Sequence, residues 1–375
     1  MTLFIEPFRK PHEHMMVVQS LLKLESYRNK PIYFLSTQNY FDSIPEYCKK
    51  NVNFIELKNN SNSSLWLILK TLLVVLNYYY KLKPNRIFLL STKSYSSLLL
   101  KIWTIIAFNK NYIYIILHGE LQYIVNDENL SRRLDGLINK LNFKLNNYLK
   151  SKFKFVILSN LVYDNLCKIL GYKIQNIIHL DLPYDYTDVS KLAFNAALSS
   201  KIILSTVGVN AKNKNSHLLN ILADNLRKEL DESLIEIRCI GRVHDVKFKD
   251  SIKLVELNGS YFVEPELFSK LIQESSFILS FVDDLNYSLI SSGSYFDCIK
   301  YQKPILALRN NQWDYNFNKF GEIGMLFTTV SEMTLFIKSL MSNPDYISKF
   351  NLKLKEAKFV TGIENNIEYY NNCFS

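Results

Sequence analysis

Ser291-Ser292-Gly293-Ser294-Tyr295-Phe296-Asp297-Cys298-Ile299-Lys300-Tyr301-Gln302-Lys303-Pro304-Ile305-Leu306-Ala307-Leu308 is the stretch around which the chain is organised. Small residues at its front make a turn. A helix of about two turns follows, with Asp297 in its first part. Lys303-Pro304 ends that helix, because proline cannot continue one. Ile305 to Leu308 reads as a short buried strand. A Ser/Gly turn at a helix N-terminus presents backbone N–H groups and the positive end of the dipole, which suits a phosphate. An acid a few residues inside such a helix can hold a ribose hydroxyl. Taken alone, the stretch is equally a loop and capped helix of an ordinary α/β domain, so the rest of the chain decides.

With 375 residues, the chain is too long for one comfortable core, and two domains are the natural expectation. Hydrophobic residues make up 48% of it, which marks a folded protein. Composition predicts only a polar loop at residues 59–64. The five cysteines are scattered without a CxxC pair or metal spacing, and read as reduced, intracellular thiols. Residues 1–7 lack a basic region followed by a long apolar one, so they read as a first strand rather than a signal peptide. The most apolar run, residues 65–76, is too short to span a bilayer. A cytoplasmic protein is expected, with the inner membrane face open to it. Charge is uneven. Through Asp185 there are 24 Lys and Arg against 13 Asp and Glu, a net of +11. The remainder has 21 against 22, a net of −1. A basic first half suits a nucleic acid, an anionic membrane or a phosphorylated lipid, or it is a solvated lysine-rich surface.

Taken in order, residues 3–6 read as a strand, 7–13 as a loop and 14–24 as a helix. Further strands are predicted at 31–36, 52–57, 86–90, 112–117, 155–158 and 176–180. Helices are predicted at 65–81, 95–108, 132–150 and 161–170. Residues 183–200 read as a connection and a closing hinge, after which the alternation restarts. Strands are predicted at 201–207, 235–240, 254–257, 277–281 and 305–308. Helices are predicted at 216–230, 265–273 and 331–341, with a long polar helical tail over 345–370. Apolar strands separated by helices argue for α/β architecture with two parallel sheets. Neither GxGxxG nor GxxxxGK[ST] occurs in the second half, which disfavours a dinucleotide dehydrogenase or a P-loop enzyme.

Ligands of open parallel sheets sit beyond the C-terminal strand ends. There the sequence places Gly208-Val209-Asn210-Ala211-Lys212-Asn213-Lys214-Asn215, in which glycine admits a close ligand and a lysine neutralises a diphosphate. Gly241-Arg242 offers an arginine that forks onto phosphate oxygens. His118-Gly119-Glu120 joins a histidine and a carboxylate suited to proton transfer or to sugar hydroxyls. The loop Pro11-His12-Glu13-His14 belongs beside these, with Glu13 or His14 as a base, although both also simply favour a helix start. Asp283-Asp284 is too isolated to be assigned a metal. The helix at 132–150 carries Leu134, Leu137, Ile138, Leu141, Leu145 and Leu149 on one side, which suits core packing or an anionic membrane surface.

Together these features resemble the GT-B glycosyltransferases, nearest to those of bacterial polysaccharide and lipopolysaccharide synthesis. Asp297 through Lys303-Pro304 matches the length and ending of that group's E-A-x-x-x-G-K-P stretch. The resemblance implies two Rossmann-like domains facing a cleft. Residues 1–185 would bind the acceptor and 186–350 the nucleotide sugar, with a helical tail over 351–375 packing back on the first domain. Asp297 falls where the family holds the donor ribose. Ser292, Gly293 and Ser294 fall where amides meet the diphosphate, and Lys214 falls on the phosphates, with Gly208, Lys212, Gly241 and Arg242 nearby. His118 falls near the transferred sugar. Departures matter. The second acid of retaining members falls at Leu289, and the family's glycine before Lys-Pro is Gln302. That leaves room for an inverting enzyme with Glu13, His14 or Glu120 as base. The implied activity is transfer of a sugar from a nucleotide diphosphate to a glycan or polyprenyl-diphosphate-linked acceptor. It would need no metal or cofactor, bind no nucleic acid and serve O-antigen, capsule or lipopolysaccharide synthesis, peripheral to the inner membrane face. The rivals are a nucleotide-sugar epimerase of the same fold and a non-catalytic lipid- or nucleic-acid-binding protein.

Overall fold

A computed structural model describes residues 1–57, 64–106, 111–125, 129–149, 152–187, 201–255, 263–342, 346 and 348–374. The polar loop expected at 59–64 (Ser64 apart), most of the hinge at 183–200 and Lys150 lie outside the described residues. The chain divides into two units. The first comprises Met1–Asp185, Leu289–Ser291 and Ile363–Ser375; the second comprises Tyr186–Ser288 and Ser292–Gly362.

In the first unit the strands are β1 (Thr2–Glu6), β2 (Ile32–Ser36), β3 (Val52–Glu56), β4 (Arg86–Leu89), β5 (Tyr112–Leu117), β6 (Phe153–Ile157) and β7 (Ile177–His179). They pair in the order β3-β2-β1-β4-β5-β6-β7, all parallel. Between them run α1 (Met15–Ser26), α2 (Gln38–Asp42), α3 (Glu46–Lys49), α4 (Ser64–Leu82), α5 (Ser94–Ile106), α6 (Leu130–Tyr148) and α7 (Asn160–Leu170). The order of the strands reverses between β1 and β4, and loops following the central strands therefore surround one crevice.

The central strands are apolar on both faces because helices cover both. An aromatic row crosses one face. Phe4 stacks on Phe34 at 6.3 Å and on Phe88 at 5.0 Å, and Phe88 stacks on Tyr114 at 4.8 Å. Phe374, from the chain's C-terminus, closes on Phe88 at 5.4 Å and on Tyr114 at 5.1 Å. The buried Glu25 carboxylate fixes the same end, accepting from Thr2 Oγ1 at 2.7 Å and Tyr370 OH at 3.0 Å.

In the second unit the strands are β8 (Ile202–Val207), β9 (Asn210–Ala211), β10 (Ile235–Ile240), β11 (Val243–His244), β12 (Ile252–Leu254), β13 (Phe277–Ser280), β14 (Ile305–Leu308) and β15 (Gly324–Phe327). The main sheet runs β12-β10-β8-β13-β14-β15, and β9 pairs with β11. This order repeats the arrangement of the first unit, with the reversal between β8 and β13. The helices are α8 (Leu218–Asn225), α9 (Arg227–Asp231), α10 (Pro265–Glu274), α11 (Asp284–Tyr287), α12 (Ser294–Tyr301), α13 (Asn311–Phe320), α14 (Val330–Ser342) and α15 (Lys349–Thr361).

The tail read as one helix over 345–370, and as one segment from residue 351, is divided. α15 belongs to the second unit, while α16 (Ile367–Cys373) belongs to the first. Gly362 separates them in an extended conformation, φ −69° and ψ 146°, which breaks the helix. The strand expected at 254–257 is observed at Ile252–Leu254, and residues 256–257 lie outside the described residues.

Glu236 on β10 is buried beside Lys201 at 2.8 Å, Lys253 at 2.7 Å and Arg238 at 2.5 Å. Burial opposes its charge, but these three cations outweigh burial and hold the carboxyl down at about 2. A carboxyl depressed in the folded state adds stability above its unfolded pKa. That contribution is lost as pH falls through the folded value. Glu236→Gln is therefore expected to cost about 2 kcal/mol at pH 7, after allowance for the exposed Lys253, and nothing near pH 2. Urea unfolding at both pH values checks it; an equal cost at both refutes it.

Candidate active site

In the first unit the candidate residues gather at the C-terminal ends of β1, β4 and β5. His118 directly follows β5. Its Nε2 lies 3.0 Å from the Leu90 carbonyl, which can only accept, so Nε2 carries the hydrogen and Nδ1 keeps a lone pair. Burial, and then the charge of Arg9, lower the His118 pKa to about 3, so the ring is neutral. The His118 amide donates to Glu120 Oε1 at 3.0 Å. Desolvation raises the Glu120 carboxyl above the usual range, against the opposing His118 and Glu120 amides and Arg9.

His14 brings its ring to 4.2 Å from that of His118. It is exposed as a residue, yet the protein around its ring, His118 and Arg9 all disfavour protonation. It sits before α1 at φ 54°, and His12 lies at φ 67°. Two non-glycine residues in the left-handed region make this a loop held against its backbone preference, a feature common at functional sites. Glu13 is turned to its own loop. Its Oε2 accepts the Lys10 amide at 3.1 Å, and its carbonyl accepts Tyr40 OH at 2.9 Å.

Two residues of this cluster escaped the sequence reading of the site. Glu6, at the end of β1, is buried, and its Oε1 accepts the Phe8 and Arg9 amides, both at 3.1 Å, and the Ser91 hydroxyl. Arg9 is the charge felt in common by Glu6, His14, His118 and Glu120. Its Nε is buried and finds no acceptor among the described residues. The signal available was position: an acid closing a first strand, with an arginine three residues on.

Leu289–Ser291 also belongs to this unit. The Leu289 amide donates to Gln122 Oε1 at 3.1 Å, and its side chain is 1% exposed within the apolar core. Leu289, which the resemblance sets at the second acid's position, is therefore a core residue.

In the second unit the residues gather around the ends of β8, β10 and β13. Gly208 lies at φ 80° and Gly241 at φ 139°, and a Cβ on Gly241 would stand 2.0 Å from the Gly208 oxygen. The two loops are thus packed backbone to backbone. The Asn210 amide donates to the Arg242 carbonyl at 2.7 Å, beside the β9–β11 pair. Lys212 is exposed, whereas Lys214 is half-buried with its Nζ 5.8 Å from the Tyr287 ring centre.

Ser292 Oγ accepts the Ser294 amide at 3.3 Å, and the Gly293 carbonyl accepts the Phe296 and Asp297 amides, starting α12. The helix ends before Pro304. Gln302 adopts φ 52°, and the Lys303 amide closes on the Cys298 carbonyl at 2.9 Å. A left-handed residue ends the helix here, and glutamine takes the conformation glycine adopts most readily. Asp297 is recessed but not sealed, and burial lifts its carboxyl to about 6 against the pull of Lys300 and Lys214. Among the described residues, neither oxygen has a hydrogen-bond donor at hand. Asp283 instead caps α11 through the Asn286 amide at 2.9 Å and accepts from Asn215 at 2.8 Å. Among the described residues no group of three His, Cys, Asp or Glu is placed to hold a metal.

No family profile and no curated protein match the sequence. Solved structures match over the whole chain. A glycosyltransferase from Rickettsia africae ESF-5 aligns at 14% identity and TM-score 0.63, covering 100% of this chain and 98% of its own. WaaG, a glycosyltransferase involved in lipopolysaccharide biosynthesis, aligns at 10% identity and TM-score 0.64, covering 98% and 99%. UDP-GlcNAc 2-epimerase from Neisseria meningitidis bound to UDP-GlcNAc aligns at 15% identity and TM-score 0.52, covering 100% and 99%. The chain therefore has the GT-B fold of two parallel-sheet α/β units.

Proposed function

We propose that this chain is a glycosyltransferase that takes a sugar from a nucleotide diphosphate. The observation that carries this reading is Asp297: a recessed carboxylate without donors among the described residues, just inside α12. Ribose hydroxyls supply the missing donors. Ser292, Gly293 and Ser294 at the N-terminus of α12, with Lys212, Lys214 and Arg242, face the diphosphate and stabilise it as it leaves. Gly208 and Gly241 let the backbone approach it. No metal or cofactor is invoked. The fold it shares with a protein bound to UDP-GlcNAc supports a nucleotide sugar as partner.

In the first unit, the Nδ1 lone pair of neutral His118 accepts from a sugar hydroxyl. Its low pKa makes it a poor base. Glu120, with a raised carboxyl, deprotonates the acceptor hydroxyl, and His14 and Glu13 orient the acceptor. With Leu289 at the second-acid position, direct inverting displacement is the route. The acceptor is a glycan or a lipid diphosphate of bacterial surface polysaccharide assembly, which places the enzyme at the inner membrane face.

The melting temperature in the presence of nucleotide sugars and nucleoside diphosphates tests the reading, because a bound ligand stabilises by mass action. If none raises it, the donor site is not one. Glu120→Gln is expected to lower kcat by about 10²–10⁴-fold with binding retained. If Glu120→Gln, His118→Ala, His14→Ala and Glu13→Gln all keep full turnover, the catalytic assignment is wrong.

A second reading, a nucleotide-sugar epimerase, is favoured by the full-length likeness to UDP-GlcNAc 2-epimerases. Incubation with donor alone separates the two: an epimerase inverts a sugar carbon, whereas a transferase leaves the sugar's configuration unchanged until acceptor is added.

A further inference from the structure

Helices α5 and α6 of the first unit pack together through polar residues. α5 turns Ser94, Ser96, Ser97, Lys101 and Thr104 inward, and α6 turns Asn139, Asn142 and Asn146 inward. Lys101 Nζ donates to the Asn142 carbonyl and to Asn146 Oδ1, both at 2.9 Å. Asn142 Nδ2 donates to the Ser94 carbonyl and Ser97 Oγ, both at 3.2 Å. A buried amine so satisfied costs little further, and Leu100 of α5 and Phe143 of α6 are the only large apolar side chains of the two helices that are fully buried in the core, so most of their apolar residues lie elsewhere.

Those residues point outward. On α6, Leu130, Leu134, Leu137, Leu141 and Tyr148 fall on one narrow arc of the helix, with Leu137 59% and Tyr148 74% exposed. On α5, Tyr95, Leu99, Ile102 and Ile106 repeat the same spacing, and Ile106 is 71% exposed. The end of α4 joins them through Tyr79 and Tyr80, edge-on to Trp103 at 5.0 and 6.3 Å. An amphipathic helix in a monomer normally faces its apolar stripe to the core. Two neighbouring helices with the reverse orientation make an exposed patch that marks an interaction surface.

Charge identifies the occupant. α4 and α5 contain no Asp or Glu, and the one acid of α6, Asp135, accepts from the Ser94 hydroxyl in the seam. Arg133, Lys140 and Lys144 run as a stripe beside the leucines, and Lys81 and Lys93 are exposed at the edge. A second copy of the chain would bring like charges together. An anionic surface meets them with opposite charge. Leucine and isoleucine flanked by Trp, Tyr and basic residues are the composition of a helix lying in a membrane interface. Among the described residues no helix is long and apolar enough to cross a membrane.

We propose that the outward face of α5 and α6, with the end of α4, binds the surface of an anionic lipid bilayer. The leucine and isoleucine side chains enter the headgroup–acyl boundary, and Arg133, Lys140 and Lys144 meet lipid phosphates. This deepens the reading of a lipid-linked acceptor, but its test needs neither donor nor acceptor, so either can fail alone.

The test is flotation of the full chain with vesicles of phosphatidylglycerol in phosphatidylcholine, against phosphatidylcholine alone. Binding is expected to the anionic vesicles and to weaken with salt. Arg133→Gln/Lys140→Gln/Lys144→Gln should lower partitioning by about fivefold per charge removed. Leu134→Gln/Leu137→Gln/Leu141→Gln should abolish it with little change in melting temperature, because these side chains are 43%, 59% and 46% exposed and none belongs to the buried core. Three results would overturn the proposal: no flotation with anionic vesicles; flotation that neither triple variant changes; or a dimer that the leucine variant turns into a monomer.

Discussion

Gly241→Ala is expected to abolish nucleotide binding and to destabilise the second unit by about 3 kcal/mol or more. The added Cβ would lie 2.0 Å from the oxygen and 2.7 Å from the carbonyl carbon of Gly208, which are backbone atoms and cannot rotate away. They cannot shift freely either. The Gly208 amide donates to the Ile240 carbonyl at 2.9 Å, and the Asn210 amide to the Arg242 carbonyl at 2.7 Å. Relief of the clash must therefore separate β9 from β11 and carry Lys214 away from Asp297 of α12. The backbone at φ 139° adds its own cost for alanine. Gly208→Ala is the control. Its φ of 80° also disfavours a side chain, but a Cβ there meets nothing within 4 Å. It should cost about 1–2 kcal/mol and leave the loop in place. Urea unfolding and nucleoside diphosphate titration of both variants decide the matter. A Gly241→Ala protein with wild-type stability and affinity would show that the two loops are not locked together.

The two sheets were legible because strands buried on both faces leave continuous apolar runs, and Ile113 to Leu117 or Ile305 to Leu308 cannot easily be read otherwise. α13 was missed although its signals are present. Asn310 caps it, accepting the Trp313 amide at 2.9 Å, and Trp313, Phe317 and Phe320 recur at helical spacing. Asparagine-rich composition masked them, since tertiary packing here overrides a weak helix propensity. Arg9 and Glu6 were not legible as site residues, because Ser91 follows β4, His118 and Glu120 follow β5 and His14 precedes α1, and only the fold brings those ends together. The leucines of α6 mark a different limit. Periodicity reveals that a helix has an apolar face but not what covers it. Only the buried Asn142 and Lys101 show that this face turns away from the core.

Asp297→Asn is expected to weaken nucleoside diphosphate binding by about 10–100-fold at pH 7, the worth of hydrogen bonds to a charged acceptor. The same change should make the free protein more stable. Burial raises the Asp297 carboxyl from 3.8 to about 6, so folding favours its protonated form. Stability from this group is fully present below its unfolded pKa and is lost as pH rises through about 6. The ionised carboxylate thus costs on the order of 2 kcal/mol at pH 7, and asparagine removes that cost. Binding has the opposite dependence. Ribose hydroxyls donate to the ionised form, so affinity should rise about tenfold per pH unit up to about 6 and level off above it. The variant's affinity should be flat over the same range. The two proteins therefore converge near pH 5 and diverge at pH 7, while their stabilities cross the other way. A residue with a purely structural role would lose stability and affinity together. Calorimetric titration at pH 5, 6, 7 and 8, with melting temperatures at each, distinguishes these cases. A variant less stable than wild type at pH 7, or one that keeps the wild-type pH profile of binding, would remove Asp297 from the donor site.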